Sequence, residues 1–282
     1  MSETFVLSHY QTAPLLAARR AGEREACSSL DLGRASVLLA LHHEGVALPD
    51  GTILPWGVIE VIDGAPQNCF SVRAGEATPI RAFSEVTGRL ASLMPTPRAP
   101  TLVLAGIPMH RIKDVDPLED TQNKMRAIGA LRGRVLDTST GLGYTAIAAA
   151  RTAEEVVTIE IDPAVLEVAW QNPWSEELRS RGNIGQVVGD SYEEVEAFAE
   201  GAFDAILHDP PAMRLTGDLY SREMYRRLYR VLRRGGRLYH YVGDPDSKSG
   251  HAVTRGVVQR LGEAGFRDVR PRTQAFGVVA RK

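Results

Sequence analysis

The sequence predicts an α/β protein: a doubly wound, mainly parallel, seven-stranded sheet preceded by a smaller β-rich domain. Three observations carry this. After Arg134 apolar strands and helical runs alternate, as a parallel sheet covered by helices on both faces requires. Between Ser36 and about Ala105 short β-rich runs follow one another closely, separated by Pro-Asp-Gly and Asp-Gly turn signals, which means antiparallel hairpins. At the start of the alternating half, "VLDTSTGLGYTAIAAA" (Val135 to Ala150) reads as a strand, a glycine turn and a helix start.

Taken in order, residues 5 to 26 are expected to be helical, with Leu7, Leu15, Leu16 and Ala18 among polar residues. The runs "SVLLALHH", "TILPW", "VIEVI", "NCFSVRA", "TPIRAF" and "PTLVLAGI" are expected strands. The polar stretch Gly106 to Ile128 ends as a helix with an N-cap at Asp120 or Thr121. The domain junction is placed at its end, giving 1–128 as an accessory or lid domain and 129–282 as the catalytic one. In the second half "RVLDTS", "EVVTIEID", "NIGQVVGD", "FDAILHDPP" and "GRLYHYVGD" are five parallel strands, most ending in an acid. "GVVQRLGEAGFRDVRPR" and "QAFGVVARK" read as one more helix followed by two strands, a terminal hairpin, so one sheet edge should be antiparallel.

Composition bounds the function. The chain has 282 residues, is 44% hydrophobic and 24% charged, and has a net charge of −2 with a pI near 6.4. No global basic field exists, which weighs against nucleic acid, and the β domain shows no basic stripe interleaved with aromatics. The N-terminus lacks a signal-like apolar core and no run reaches the ~20 apolar residues of a membrane span, so a cytoplasmic protein is expected. Cys27 and Cys69 are far apart and give neither a disulfide framework nor a metal site.

In open parallel sheets ligands sit outside the carboxyl ends of the strands. The loop Asp137-Thr-Ser139-Thr-Gly141-Leu-Gly143-Tyr144 lacks a lysine, which excludes a phosphate-cradling P-loop, and it lacks the third glycine of the dinucleotide fingerprint. Gly141 and Gly143 let the backbone approach a ligand, and the helix start that follows favours a carboxylate. Glu160, 17 residues past Gly143, closes the second strand, where it can accept hydrogen bonds from two ribose hydroxyls. Asp190 closes the third, in reach of an adenine amino group. Acids closing successive strands in this order point to an adenosine.

Residues 133 to 282 resemble class I S-adenosylmethionine-dependent methyltransferases, with "VLDTSTGLG" as the glycine motif, "TIEID" as the ribose acid, "GD" as the adenine site and "HDPP" as the fourth motif. Over nearly its full length, with "SLDLG", "LPDG", "GIPMHR", "QNPWS", "DLYS" and "YHYVG", the chain is similar to a little-characterised methyltransferase-like group. The resemblance implies the fold, S-adenosylmethionine as cofactor, and a cofactor site from Asp137, Ser139, Gly141, Gly143, Tyr144, Glu160, Ile161, Asp190 and Ser191. Ser139 stands where many relatives have the first glycine.

The acceptor is read from "HDPPA". Relatives that modify planar amino groups follow the two prolines with an aromatic that stacks on the base, and here that slot is Ala212. Asp209 is charged, which suits an ammonium or aliphatic amine, and relatives that transfer aminopropyl groups orient their amine with an Asp at this strand end. Asp209 is therefore the first catalytic candidate. His208 reads first as a core residue and second as a base, and Tyr241 is a candidate lining residue, along with Trp174 and Tyr220 for contact with a sulfonium. Arg111, on the polar segment before the sheet, is a candidate for gripping a cofactor or substrate carboxylate.

The expected function is methyl transfer to a small-molecule nucleophile, an aliphatic amine, in small-molecule biosynthesis. The alternative is a lyase: ring closure of the cofactor's own amino-acid arm to azetidine-2-carboxylate or 1-aminocyclopropane-1-carboxylate, releasing methylthioadenosine. RNA methylation and a non-catalytic cofactor sensor rank below both. The expected partners are a small-molecule substrate, or none beyond the cofactor, with a homodimer as the candidate assembly and no metal.

Overall fold

The computed structural model describes residues 3–213, 216–244 and 246–282. It divides into two compact units, 1–117 with 164–176, and 118–163 with 177–282.

The second unit is built on a seven-stranded sheet. Its strands are β1 (Arg134–Asp137), β2 (Glu155–Glu160), β3 (Ile184–Val188), β4 (Phe203–His208), β5 (Leu232–Tyr241), β6 (Arg267–Arg272) and β7 (Gly277–Arg281), in the spatial order β3-β2-β1-β4-β5-β7-β6. Strands β1 to β5 pair in parallel, and β7 inserts antiparallel between β5 and β6, the expected antiparallel edge. The winding reverses at β1, so the carboxyl ends of β1, β2 and β4 border the crevice where such sheets bind ligands.

Period-two alternation sorts β5 onto two faces. Leu238 packs with Met224, Tyr225 and Leu228 of helix Arg222–Val231 and with Val257 and Leu261 of helix Lys248–Glu263 in one buried core. His240 points to the same side and meets the Tyr225 hydroxyl at 2.9 Å. Arg237, Tyr239 and Tyr241 face the other side. There Arg237 donates to the carbonyls of Ile128 (2.8 Å) and Ala130, tying down the end of helix Pro117–Ile128. That helix stops at Gly129, whose φ of +82° and adjacent Arg237 guanidinium leave no room for a Cβ.

The sequence reading put the domain junction at 128/129 and the cap of this helix at Asp120 or Thr121. The helix instead begins at Pro117, a residue preorganised for a first helical position, and it belongs to the second unit. Asp120 and Thr121 are interior helix residues on its buried stripe, with Lys124 and Ile128.

The first unit contains a three-stranded antiparallel sheet (Phe5–Leu7, Phe70–Arg73, Glu76–Pro79), a four-stranded one (Arg81–Phe83, Leu90–Met94, Thr101–Leu104, Ile107–Pro108) and two hairpins. Pro49-Asp50-Gly51 turns between Gly45–Ala47 and Ile53–Pro55, with Gly51 at φ +83°. Two expectations are corrected. Residues 5 to 26 are not one helix: Phe5–Leu7 pairs as a strand, Ser8 caps helix His9–Ala21 with Gln11 closing the capping box, and Glu25–Ser28 is a strand again. "VIEVI" lies in helix Trp56–Asp63, whose Trp56, Ile59 and Ile62 recur at helical spacing into the core, so Asp63-Gly64 marks a helix end rather than a hairpin.

Candidate active site

The loop after β1 is locked to the strands on either side. Thr138 N–H donates to Leu207 O (3.0 Å), Thr140 N–H to Ile159 O (2.9 Å), and the Thr140 and Thr158 hydroxyls meet at 2.7 Å. Ser191, buried at the start of the helix after β3, donates from its hydroxyl to Thr138 O. Gly141 and Gly143 both adopt positive φ, +52° and +78°, but for different reasons. A Cβ on Gly143 would stand 2.8 Å from the Leu178 methyls, so that glycine serves packing. A Cβ on Gly141 would meet nothing within 4 Å, so that glycine faces open space.

Glu160 closes β2 beside that space. Its carboxylate accepts from Gly141 N–H (2.9 Å) and Asp162 N–H (3.1 Å), and burial pushes its pKa up to about 7 against these bonds. Ile161, next to it, is exposed and offers an apolar surface at the strand tip. Asp190 caps the helix after β3 by accepting from Tyr192 N–H at 2.8 Å. Asp137 is fully buried, accepts from the Thr145 hydroxyl (2.9 Å) and Ser139 N–H (3.4 Å), and is likewise raised to about 7, chiefly by burial, with the charge of Asp209 adding to the rise. Tyr144 is buried at the first position of a helix only seven residues long. An open glycine, two acidic strand ends and an exposed isoleucine beside them are the features an adenosine requires, so the donor set fits S-adenosylmethionine.

His208 ends β4 with both ring nitrogens engaged. Nδ1 meets the Thr138 hydroxyl at 2.7 Å and Nε2 meets Leu219 O at 2.8 Å, so Nε2 carries the proton and Nδ1 accepts. Burial lowers its pKa to about 4. His208 is thus a neutral tether between β4 and the loops beside it, as its core reading has it. Tyr220 is buried and donates to Pro211 O at 3.3 Å.

Asp209 has a partner that sequence reasoning missed. Lys124, on helix Pro117–Ile128, places Nζ 2.7 Å from Asp209 Oδ2 and 2.9 Å from Asp120 Oδ2, and 5.3 Å from the centroid of the Tyr241 ring. Burial alone would pull the ammonium down, but the two carboxylates outweigh it and hold Lys124 above its ordinary value. Asp209 itself is raised by burial against the pull of Lys124. Side-chain exposures of 0% for Asp120, 3% for Lys124 and 16% for Asp209 make Asp209 the member a ligand can touch. The signal was present in sequence: Asp120 and Lys124 are four apart, on the same helical stripe as Ile128.

The structure therefore gathers Asp137, Ser139, Gly141, Gly143, Glu160, Ile161, Asp190, Ser191, His208, Asp209 and Tyr241 in the second unit, at the ends of β1 to β5. Arg111 and Trp174 belong to the first unit, where the Trp174 indole N–H donates to Leu32 O at 3.1 Å.

A family model described as a methyltransferase domain matches residues 136–240. Protein MJ1233 of Methanocaldococcus jannaschii is 40% identical over 260 residues, which cover 90% of this chain and 88% of that protein. Among solved structures, a spermidine synthase in complex with the transition-state analogue AdoDATO is similar with a TM-score of 0.59 at 19% identity, covering 72% of each chain. The Thermotoga maritima spermidine synthase gives 0.56 at 18% identity, over 71% of this chain and 70% of that one. At such identities these two likenesses show the fold alone.

Proposed function

The chain belongs to the class I S-adenosylmethionine-dependent methyltransferase-like family, and from that premise we propose that it methylates the nitrogen of a small amine received by Asp209. Its function is of the S-adenosylmethionine-dependent methyltransferase type. The finer reading rests on one observation, the reachable carboxylate at the end of β4. Asp209 and Asp120 both pair with the Lys124 ammonium, Asp209 is the more exposed of the two, and its charge is felt by Asp137. A carboxylate that a ligand can touch suits a cationic acceptor.

Glu160 would hold the ribose, Asp190 and Ile161 the adenine, and the backbone at Gly141 the close approach of the nucleoside. When bound, S-adenosylmethionine supplies an electrophilic methyl carbon on a sulfonium, whose departing sulfide needs no proton. What remains for the protein is placement of the attacking nitrogen and removal of its proton. Lys124 occupies Oδ2 of Asp209, and Oδ1 makes no hydrogen bond among the described residues, so Oδ1 is the oxygen that receives the amine N–H. A carboxylate raised by burial is a better proton acceptor than one in water. His208 supplies no base, since its one unprotonated nitrogen already accepts from Thr138.

Product identity tests this. Purified protein with S-adenosylmethionine alone should be nearly silent, and addition of aliphatic amines should release S-adenosylhomocysteine and methylated amine by mass spectrometry. Methylthioadenosine with a cyclic amino acid, formed without any acceptor, would instead assign ring closure.

A further inference from the structure

The charge of the chain is close to balanced overall, but it is not evenly spread. In the paired register of the last three strands, Arg237 of β5 stands opposite Arg281 of β7, and Arg281 opposite Arg267 of β6. Like charges directly opposite one another on a sheet are destabilising, so this row is maintained at a cost to the fold. Above it Arg270 pairs with Val279, and Arg272 with Gly277. Arg237, Arg270, Arg272 and Arg281 line one cleft of about 190 Å³, closed at its side by Ala127 and Ile128 at the end of helix Pro117–Ile128. The acid among its lining residues is Asp268, 3.8 Å from Arg270, so four guanidiniums face one carboxylate. Among the described residues Arg267, Arg272 and Arg281 make no ion pair. Arg237 is fixed by its bonds to Ile128 and Ala130, which preorganises one wall.

The cleft lies on the face of the sheet that carries the active centre. Arg272 pairs with Gly277, and Gly277 with Tyr241, so Arg272 is level with Tyr241 two strands away, about 10 Å at ordinary strand spacing. Tyr241 in turn flanks Lys124, which holds Asp209. His208 pairs with His240, so Asp209 is level with Tyr241 on the neighbouring strand, and one face has an anionic pole at Asp209 and a cationic pole whose nearest arginine, Arg272, is three strand spacings away, about 15 Å.

We propose that the arginine cleft binds a phosphate or diphosphate group of the acceptor, so that the substrate class is a phosphorylated amine long enough to set its nitrogen about 15 Å from its phosphate. Guanidinium forks match phosphate oxygens in pairs, and a cleft of this volume suits a diphosphate. The amine end of this description rests on the methyl-transfer reading above.

The test uses the full chain and inorganic pyrophosphate in titration calorimetry. Wild type should bind it, and Arg270→Ala/Arg281→Ala should bind at least tenfold more weakly while keeping S-adenosylmethionine affinity. Both arginines are exposed, so the variant should fold, and retained cofactor binding checks that. Asp209→Asn should keep wild-type pyrophosphate affinity; a parallel loss would merge the two sites and overturn the proposal. Equal binding by wild type and the double variant, or none by either, would overturn it too. So would a 12-nucleotide single-stranded RNA that binds through these arginines more than tenfold tighter than pyrophosphate, since the ligand would then be a polymer. The product assay reports on the amine reading separately.

Discussion

Replacing Lys124 with Met removes a buried cation that pairs with two carboxylates, Asp120 and Asp209. The methionine fills most of the volume, so the loss is mainly electrostatic. Breaking a buried pair by deleting one partner costs about 3–5 kcal/mol, because the remaining charge is left uncompensated. Here the Asp120 side chain is fully buried and that of Asp209 is 16% exposed, so Asp120 bears most of the penalty. For the roughly 150 residues of the second unit, that penalty corresponds to about 6–20 °C in melting temperature. The loss should depend on pH in a defined direction. Without Lys124, Asp209 keeps the burial that raises it and loses the charge that pulls it down, so its folded pKa lies above the unfolded one. Its contribution is then fully present below the unfolded pKa and is lost as pH rises through the folded value. Lys124→Met should therefore melt far below wild type at pH 8 and recover much of the difference near pH 5. Adding Asp120→Asn should restore part of the pH 8 loss. The assay is thermal melting of the two proteins followed by circular dichroism across that range. Equal melting temperatures at pH 8, or a gap that does not change with pH, would refute the buried-triad reasoning.

Cofactor affinity should rise with pH through about 7 and then level, because Glu160 must be ionised to accept from ribose and its free-state pKa is raised to about 7; calorimetry from pH 5.5 to 8.5 measures this. For the unliganded chain the sign is opposite: Glu160 and Asp137 both favour the fold at low pH, and their contributions are lost as pH rises through about 7. Gly143→Ala should destabilise by more than ~1 kcal/mol, since positive φ and the Leu178 methyls both oppose a Cβ. Gly141→Ala, in open space, should cost stability only through its backbone, ~1–2 kcal/mol, and should lower cofactor affinity more than Gly143→Ala does relative to that cost. His208 is depressed to about 4, so its stabilising contribution is present above the unfolded pKa near 6.5 and is lost as pH falls through 4; His208→Gln should flatten that limb of acid unfolding.

The parallel sheet was legible because its signal is redundant: five apolar runs, each followed by a helical run, with acids marking the carboxyl ends. Glu160 and Asp190 needed only that edge to be located. Trp56–Asp63 was not legible, because β-branched residues fill it and "VIEVI" satisfies period two as well as the helical spacing of Trp56, Ile59 and Ile62. Lys124 escaped for a different reason. A polar helix reads as solvated, and burial of Asp120 and Lys124 depends on what packs against that stripe, which local sequence does not state. Asp209 is legible as the acid that follows the fourth strand, but its partner lies 85 residues earlier. Moving the junction from 128/129 to Pro117/Leu118 also changes what a catalytic fragment must contain, since a chain starting at 130 loses Lys124. The arginine row was hidden by the net charge, an average over a surface whose charges are segregated.

The most direct test of the central claim is the affinity of the full chain for S-adenosylmethionine, measured by titration calorimetry in wild type and Glu160→Ala. Saturable binding that weakens at least tenfold in the variant, about 1.4 kcal/mol, is the predicted result. Failure of wild type to bind, or identical affinity in the two proteins, would contradict the placement of the cofactor at the ends of β1 to β3.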